Sequence, residues 1–151
     1  MKQLMTLAYL VKGDEVLLGY KKQGIGIGRY NGFGGKVEIG ETIEEAAQRE
    51  VFEEANLTVH NLLKVGVLNL SWDSKKDILE VHLFKSTNFS GEVEESEEMR
   101  PEWFDMNKVP LDKMWSDDTY WWPLFLQNKK FVGNFVFDKH DQVVQHDLEE
   151  L

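Results

Sequence analysis

Three glutamates follow one arginine within two helical turns: Arg49-Glu50, then Glu53-Glu54. At about 100° per residue, Glu53 lies roughly 60° to one side of Glu50 and Glu54 roughly 40° to the other, so the three carboxylates share one face. Ile43, Ala46 and Ala47 fall on the same side. Like charges set against small and apolar residues are unfavourable unless a cation neutralises them. Hard divalent cations, held by carboxylate oxygens together with water and phosphate oxygens, are the matching partners. The competing reading is a solvated acidic face with Arg49 in ordinary ion pairs, which is how most Glu-rich helices are used.

A second constellation lies far along the chain, at Trp115-Ser116-Asp117-Asp118. Two neighbouring carboxyls in a partly apolar pocket disfavour double ionisation, so one of them should keep a proton. A protonated Asp donates a hydrogen bond and an ionised one accepts. Asp just before a helix is also a favoured N-cap, so position alone leaves both readings open. Trp115 beside the pair favours a ligand, because a purine ring stacks well on an aromatic platform. Trp121 and Trp122 are expected in the core. His60, His82, His140 and His146 have no metal-ligand spacing. Gly24, Gly26 and Gly28 mark a flexible loop; no helix follows at once, as a dinucleotide-binding turn would require.

The elements that must position these groups are legible as patterns. Leu4–Val11 and Glu15–Tyr20 are apolar runs of strand length around a Lys12-Gly13-Asp14 turn, which predicts a hairpin. Phe33–Val37 is a short extended piece. Thr42 with Glu45 forms a capping box that opens a helix running to about Ala55, and Asn56 suits its end. Leu63–Trp72 and Ile78–Lys85 read as strands around a polar turn. Glu92–Glu98 reads as a solvated acidic loop, and Trp103-Phe104 as a strand. A second helix is predicted from Thr119 to about Lys130, then a hairpin from Phe131–Phe137 and Val143–His146. Without repeats or linkers, this is one mixed α/β domain over residues 1–151.

The chain carries a formal net charge of −10 and no cysteine. Disulfides, thiolate catalysis and Cys-based zinc sites are excluded. So acidic a chain is a poor partner for nucleic-acid polymers, yet it can take phosphate ligands through divalent cations. No segment is long enough to span a bilayer. The apolar start, Met1–Val11, lacks a small-residue cleavage site and reads as a strand rather than a leader. We expect a cytoplasmic protein, with mitochondrial or nuclear nucleotide pools as other possible sites of action.

The stretch from Gly35 to Leu57 reads Gly35, five residues, Glu41, seven residues, Arg49-Glu50-Val51, one residue, Glu53-Glu54, then Leu57. It resembles the signature box of the Nudix hydrolases. Six fixed residues at the average glycine frequency, about 7% each, match by chance on the order of once in ten million starts. The family usually has Gly where Asn56 stands, at a helix end remote from the carboxylates. The resemblance implies an α/β/α fold, a mixed central sheet between helices. It implies hydrolysis of a nucleoside diphosphate linked to another group, with magnesium, or manganese in its place. Glu50, Glu53 and Glu54 match the metal-holding positions, with a backbone carbonyl from Gly34 or Gly35 and with Glu98 as an outer ligand. Glu53 or Glu54 is the candidate proton acceptor, and Arg49 orients the glutamates.

Further stretches narrow the resemblance. Lys21-Lys22, the Gly28–Lys36 turn, Glu98–Pro101, Trp103-Phe104, Met114–Asp118 and Lys129-Lys130-Phe131 are similar to Nudix hydrolases that act on oxidised purine nucleoside triphosphates. That likeness places Asn31, Asp117 and Asp118 on the purine edge and Trp115 on its face. Thr6, Leu7, Lys21 and Phe33 line the pocket, Leu70, Trp72 and Leu79 extend its wall, and Gly34, Gly35 and Lys36 complete the binding surface. Against the same pattern, Tyr30 stands for Trp, Ile25, Leu70 and Trp72 for Phe, and Ser116 for Pro. The implied partner is a small nucleotide such as 8-oxo-dGTP or 2-hydroxy-dATP, bound by a monomer. The rival readings are a Nudix hydrolase for another substrate, a non-catalytic nucleotide-binding module, and an interaction protein that uses its acidic face.

Overall fold

The structure is a computed structural model that describes residues 2–151; Met1, at the head of the first predicted strand, lies outside the described residues. The strands are β1 (Lys2–Lys12), β2 (Glu15–Lys21), β3 (Tyr30–Asn31), β4 (Thr58–Val59), β5 (Leu63–Trp72), β6 (Ile78–Ser86), β7 (Phe89–Ser90), β8 (Met99–Asp105), β9 (Phe131–Phe137) and β10 (Val143–Glu150). Helix α1 spans Ile43–Ala55 and α2 spans Asp118–Leu126. The main sheet has the order β10-β9-β5-β6-β1-β2-β3, with β8 also paired to β2. It is mixed: β1 runs parallel to β6 and β5 parallel to β9, while the other pairs are antiparallel.

Strand alternation divides the core between the two faces. Tyr9 and Val11 pack with Val16, Leu18, Trp121, Trp122 and Phe125, on the α2 side. Ala8 and Leu10 pack with Leu17, Phe33, Ala47, Val51 and Ala55, on the α1 side. The sheet is thus covered on both faces, as the α/β/α expectation required. Trp121 and Trp122 are core residues, with ring centroids 5.7 Å from that of Tyr9 in both cases.

Between β1 and β2 the sheet opens. Their pairing covers Leu10, Val11 and Lys12 against Leu17, Val16 and Glu15. Beyond that the two strands diverge, and residues 30–36 enter the gap. Asn31 and Tyr30 pair with Gly19 and Tyr20 on one side, while Phe33 and Lys36 bridge to Ala8 and Met5 on the other. Gly34 makes this possible: a Cβ there would stand 1.7 Å from the Thr6 carbonyl oxygen, so no side chain fits.

Helix α1 forms and ends as its sequence dictates. The Thr42 hydroxyl accepts from the Glu45 N–H at 3.1 Å, and the Glu45 carboxylate accepts from the Thr42 N–H at 2.8 Å. Asn56 closes the helix in the left-handed region at φ 62°. Helix α2 stops at Leu126, short of the Lys130 expected from the sequence. Asn128 turns left-handed at φ 57°. Its N–H donates to Phe125 O at 3.1 Å and the Lys129 N–H to Leu124 O at 3.0 Å. That pair of bonds is a Schellman terminus, and an asparagine inside an apparent helical run supplied it. Strand β8 outruns its Trp103-Phe104 core at both ends, and β10 continues four residues past His146. The short β4–β7 ladder had no sequence signal.

Thr42→Ala should cost about 1 kcal/mol through the lost cap. For a chain of this size, that lowers Tm by roughly 2–4 °C. Thermal unfolding in magnesium-free buffer measures it, and an unchanged Tm would mean the cap does not limit α1.

Candidate active site

A cavity of about 460 Å³ opens where the sheet splays. Its floor comes from strand residues that alternate toward it: Gln3, Met5 and Leu7 of β1, Leu68, Leu70 and Trp72 of β5, Leu79 and Val81 of β6. One end is acidic, with Glu50, Glu53 and Glu98 beside Gly34, Gly35, Lys36 and Glu38. The other is aromatic and polar, with Asn31, Trp115, Asp117 and Asp118 beside Gly26 and Arg29.

Arg49 organises the acidic end. Its Nε and one terminal nitrogen grip both oxygens of Glu41, at 2.8 and 2.9 Å. The other terminal nitrogen donates to Glu50 Oε1 at 2.7 Å and leans on Glu53 Oε2 at 3.4 Å. A further bond, to Lys36 O at 3.0 Å, ties α1 to the inserted segment. The guanidinium holds the Glu41 carboxyl down at about 2, helped by the Glu38 N–H. Arg49 itself stands behind the glutamates and does not line the cavity.

Glu54 sits deepest. It is 2% exposed, and its Oε1 accepts the Gly34 N–H at 2.9 Å. Among the described residues no donor reaches Oε2. Burial pushes its pKa from 4.5 up to about 9, and Glu98 and Glu50 beside it push the same way. Burial also raises Glu50, against the pull of Arg49. Glu98 is drawn the other way, below its ordinary value, although burial opposes this; Lys21 donates to its Oε1 at 2.8 Å. No group of three acidic or imidazole side chains among the described residues is already arranged to hold a metal ion. Arg49 and Lys21 explain that spacing, because each draws a carboxylate toward itself.

At the other end, Asp117 and Asp118 are each 2% exposed. Asp117 does not cap α2: its backbone is helical and its side chain makes no cap bond. Instead its Oδ2 accepts the Trp121 indole N–H at 3.0 Å. Asp117 Oδ1 and Asp118 Oδ2 are buried without partners. Burial raises both pKa values, and Asp118 is raised further by the charge of Asp117. Asn31 Oδ1 accepts from the Tyr9 hydroxyl at 3.1 Å and from the Gly32 N–H at 2.9 Å, which leaves its NH₂ group for a ligand.

Of the residues singled out in the sequence, Thr6, Leu7, Lys21, Asn31, Gly34, Gly35, Lys36, Leu70, Trp72, Leu79, Trp115, Asp117 and Asp118 line this one cavity, with Glu50, Glu53 and Glu98. Glu54 and Phe33 do not: Glu54 is buried against the Gly34 N–H, and Phe33 is fully buried in the core on the α1 side. The Phe33 backbone, bridged to Ala8, is what shapes the cavity. The Gly35 carbonyl already accepts the Thr6 N–H at 2.9 Å, which makes Gly34 the better placed of the two candidate carbonyls. None of the four histidines lines the cavity. Sequence reading missed Gln3, Met5, Leu68 and Val81, which strand alternation from Leu7, Leu70 and Leu79 would have found. It also missed Arg29, for which no local pattern exists.

The chain belongs to the Nudix family: the NUDIX domain matches residues 1–125. Within that family, it is 50% identical over 149 residues to the oxidized purine nucleoside triphosphate hydrolase of Danio rerio, covering 99% of this chain and 96% of that protein. It is 46% identical to the Mus musculus protein of the same name, with the same coverage. Among solved structures, the MutT protein of Bacillus halodurans superposes with a TM-score of 0.87 at 29% identity, covering 97% of both chains. A divalent metal is the cofactor of this family, and the acidic end fits one. It offers a buried carboxylate oxygen without a donor, a second carboxylate raised by burial, and a carbonyl beside them.

The sign of the Glu54 shift makes this testable without substrate. A proton held up to about pH 9 when folded, but released near 4.5 when unfolded, stabilises the fold in acid. That contribution declines as pH rises across this window. At pH 8 in chelator, Glu54→Gln should therefore melt higher than the unsubstituted protein, by at least about 2 °C. Millimolar magnesium should then raise Tm for the parent chain and not for the variant. An undiminished magnesium shift in Glu54→Gln would remove Glu54 from the metal site.

Proposed function

We propose that this chain hydrolyses oxidised purine nucleoside triphosphates, 8-oxo-dGTP and 2-hydroxy-dATP among them, to the monophosphate and pyrophosphate. One observation carries the reading: a single cavity brings the Glu50, Glu53 and Glu98 carboxylates, suited to a metal, to one end, and an Asn31-Asp117-Asp118 edge with buried unpartnered oxygens, beside an indole suited to a purine, to the other. The two vertebrate relatives support the substrate class. The biological role is to clear damaged nucleotides from the precursor pool. We take residues 1–151 as one domain that works as a cytoplasmic monomer on free nucleotides.

Magnesium, with manganese as its substitute, supplies polyphosphate neutralisation and an activated water when bound. Glu50, Glu53, Glu54 and Glu98, with the Gly34 carbonyl, would hold it. Arg49 keeps Glu50 aligned and, through Lys36 O, holds the inserted glycine segment against α1. Glu53 is the carboxylate that takes up the proton of the attacking water. Its side chain is 55% exposed at the cavity edge, and its cationic neighbour, Arg49, is 3.4 Å away. The Asn31 amide donates to the purine edge. Asp117 and Asp118 share a proton, so the pair both donates and accepts. Substituents that oxidation adds or rearranges on the ring change the pattern this pair meets, and moving one proton lets it answer more than one pattern.

Pyrophosphate release from a nucleotide panel with magnesium tests the reading. Oxidised purine triphosphates should exceed undamaged dGTP and dATP in kcat/KM, and a preference for ADP-ribose or a dinucleotide would overturn it. Asp118→Ala should lower kcat/KM for oxidised purines by about 100-fold through an unpaired buried contact, with the magnesium Tm shift intact. Raising the pH removes the shared proton, which sits on a group with a raised pKa. KM for a purine that offers an acceptor to the pair should therefore rise with pH, while KM for one that offers donors should not. Parallel KM profiles for 8-oxo-dGTP and 2-hydroxy-dATP would exclude proton sharing.

A further inference from the structure

The turn between β9 and β10 reaches the aromatic end of the cavity through one residue, Asp141. It stands in the left-handed region at φ 60°. Both oxygens of its carboxylate are taken by distant parts of the chain. The Trp72 indole N–H donates to Oδ1 at 2.8 Å, and Arg29 donates to Oδ2 at 3.1 Å. Its carbonyl accepts the Ser116 hydroxyl at 2.9 Å, and the Ser116 oxygen accepts the Val143 N–H at 3.1 Å.

Each of these partners touches Trp115 or adjoins it in sequence. The Arg29 guanidinium lies over the Trp115 ring, 4.5 Å from its centre. Trp72 meets Trp115 edge to face at 6.2 Å, and Phe137 packs on both, at 5.2 and 5.7 Å. Arg29, Trp72 and Trp115 all line the cavity.

The Asp141 carboxylate makes no bond within its own turn. Asp138 does: its Oδ1 accepts the His140 and Gln142 N–H groups at 2.8 and 3.0 Å. The Asp141 carboxylate is therefore committed entirely to the pocket.

We propose that Asp141 is a positioning residue for base recognition. Through Trp72 and Arg29 it fixes the Trp115 indole, and so sets affinity for the base and selection among purines. This rests on the reading of that end as the purine site. Removing the carboxylate frees its ion-pair partner Arg29 and its hydrogen-bond partner Trp72 together, while the Ser116 bond to the Asp141 carbonyl stays.

The test uses the full-length chain with Asp141→Ala, Asp141→Asn and Asp138→Ala. Asp141→Ala should raise KM for an oxidised purine triphosphate about tenfold, with kcat within about twofold. Asp141→Asn keeps an acceptor for Trp72 and loses the ion pair, so its KM should fall between. Asp138→Ala loosens the turn alone, and should lower Tm with KM unchanged. Near-ultraviolet circular dichroism of the nucleotide-free proteins reads the Trp72–Trp115 geometry directly. Asp141→Ala should alter it and Asp138→Ala should not. A wild-type KM in Asp141→Ala overturns the proposal, as does an equal fall in kcat/KM for Asp138→Ala. If the parent chain turns over no oxidised purine, the substrate reading fails, and the dichroism still decides the role of Asp141: an unchanged spectrum in Asp141→Ala overturns it.

Discussion

The fit of Gly34 against the Thr6 carbonyl governs how everything else meets. A Cβ at that position would overlap the oxygen, so the inserted segment can lie in the gap between β1 and β2 only with glycine there. Because it lies there, the Gly35 carbonyl pairs with the Thr6 N–H, and the Gly34 N–H is free to turn toward Glu54. The same segment begins at Asn31, which holds its amide toward the other end of the cavity. One stretch of backbone thus sets the distance between the phosphate chemistry and the base. Gly35 applies the same constraint to the helix: a Cβ there would stand 2.8 Å from the Glu50 carboxyl carbon.

Charge at the acidic end is balanced in two ways. Arg49 neutralises Glu41 and Glu50 with a guanidinium whose bonds also reach the backbone at Lys36. Glu54 has no such partner and is kept neutral by a raised pKa. A buried carboxyl without a counterion costs stability, and this site keeps one where a cation can bind. The Asp117-Asp118 pair follows the same logic at the far end. In both places a buried carboxylate oxygen is left without a partner among the described residues.

The elements were legible because local rules and tertiary packing agreed. The Thr42–Glu45 box, the Asn56 terminus and the alternating runs of β1, β5 and β6 each state their own conformation. Where a local rule was ambiguous, tertiary structure decided. Asn128 could have continued α2 on paper, and the Schellman bonds end it at Leu126. Asp117 could have capped α2, and the Trp121 indole takes its carboxylate instead. The glutamates of the acidic end were legible through motif spacing, and the residues of the aromatic end through a resemblance carried over position by position. The cavity floor needed strand faces followed residue by residue, and Phe33 shows the cost of reading a side chain where only its backbone is used. Asp141 had no signal at all. Its partners lie 112, 69 and 25 residues away, so only the folded chain brings them together.

The two ends of the cavity differ in how they are built, and the difference bears on how substrate choice can change. The acidic end hangs on backbone contacts and a guanidinium network in which most bonds share an atom with another. Altering one residue there disturbs glycine segment, helix and carboxylates together. The aromatic end is walled by separate side chains from β5, the Gly26–Arg29 loop, the Trp115 turn and the β9–β10 hairpin, joined by single hydrogen bonds and ring contacts. Substituting a residue of that wall breaks one contact, whereas substituting Arg49 at the acidic end releases several at once, so the apolar surface of the cavity is freer to drift than its carboxylates.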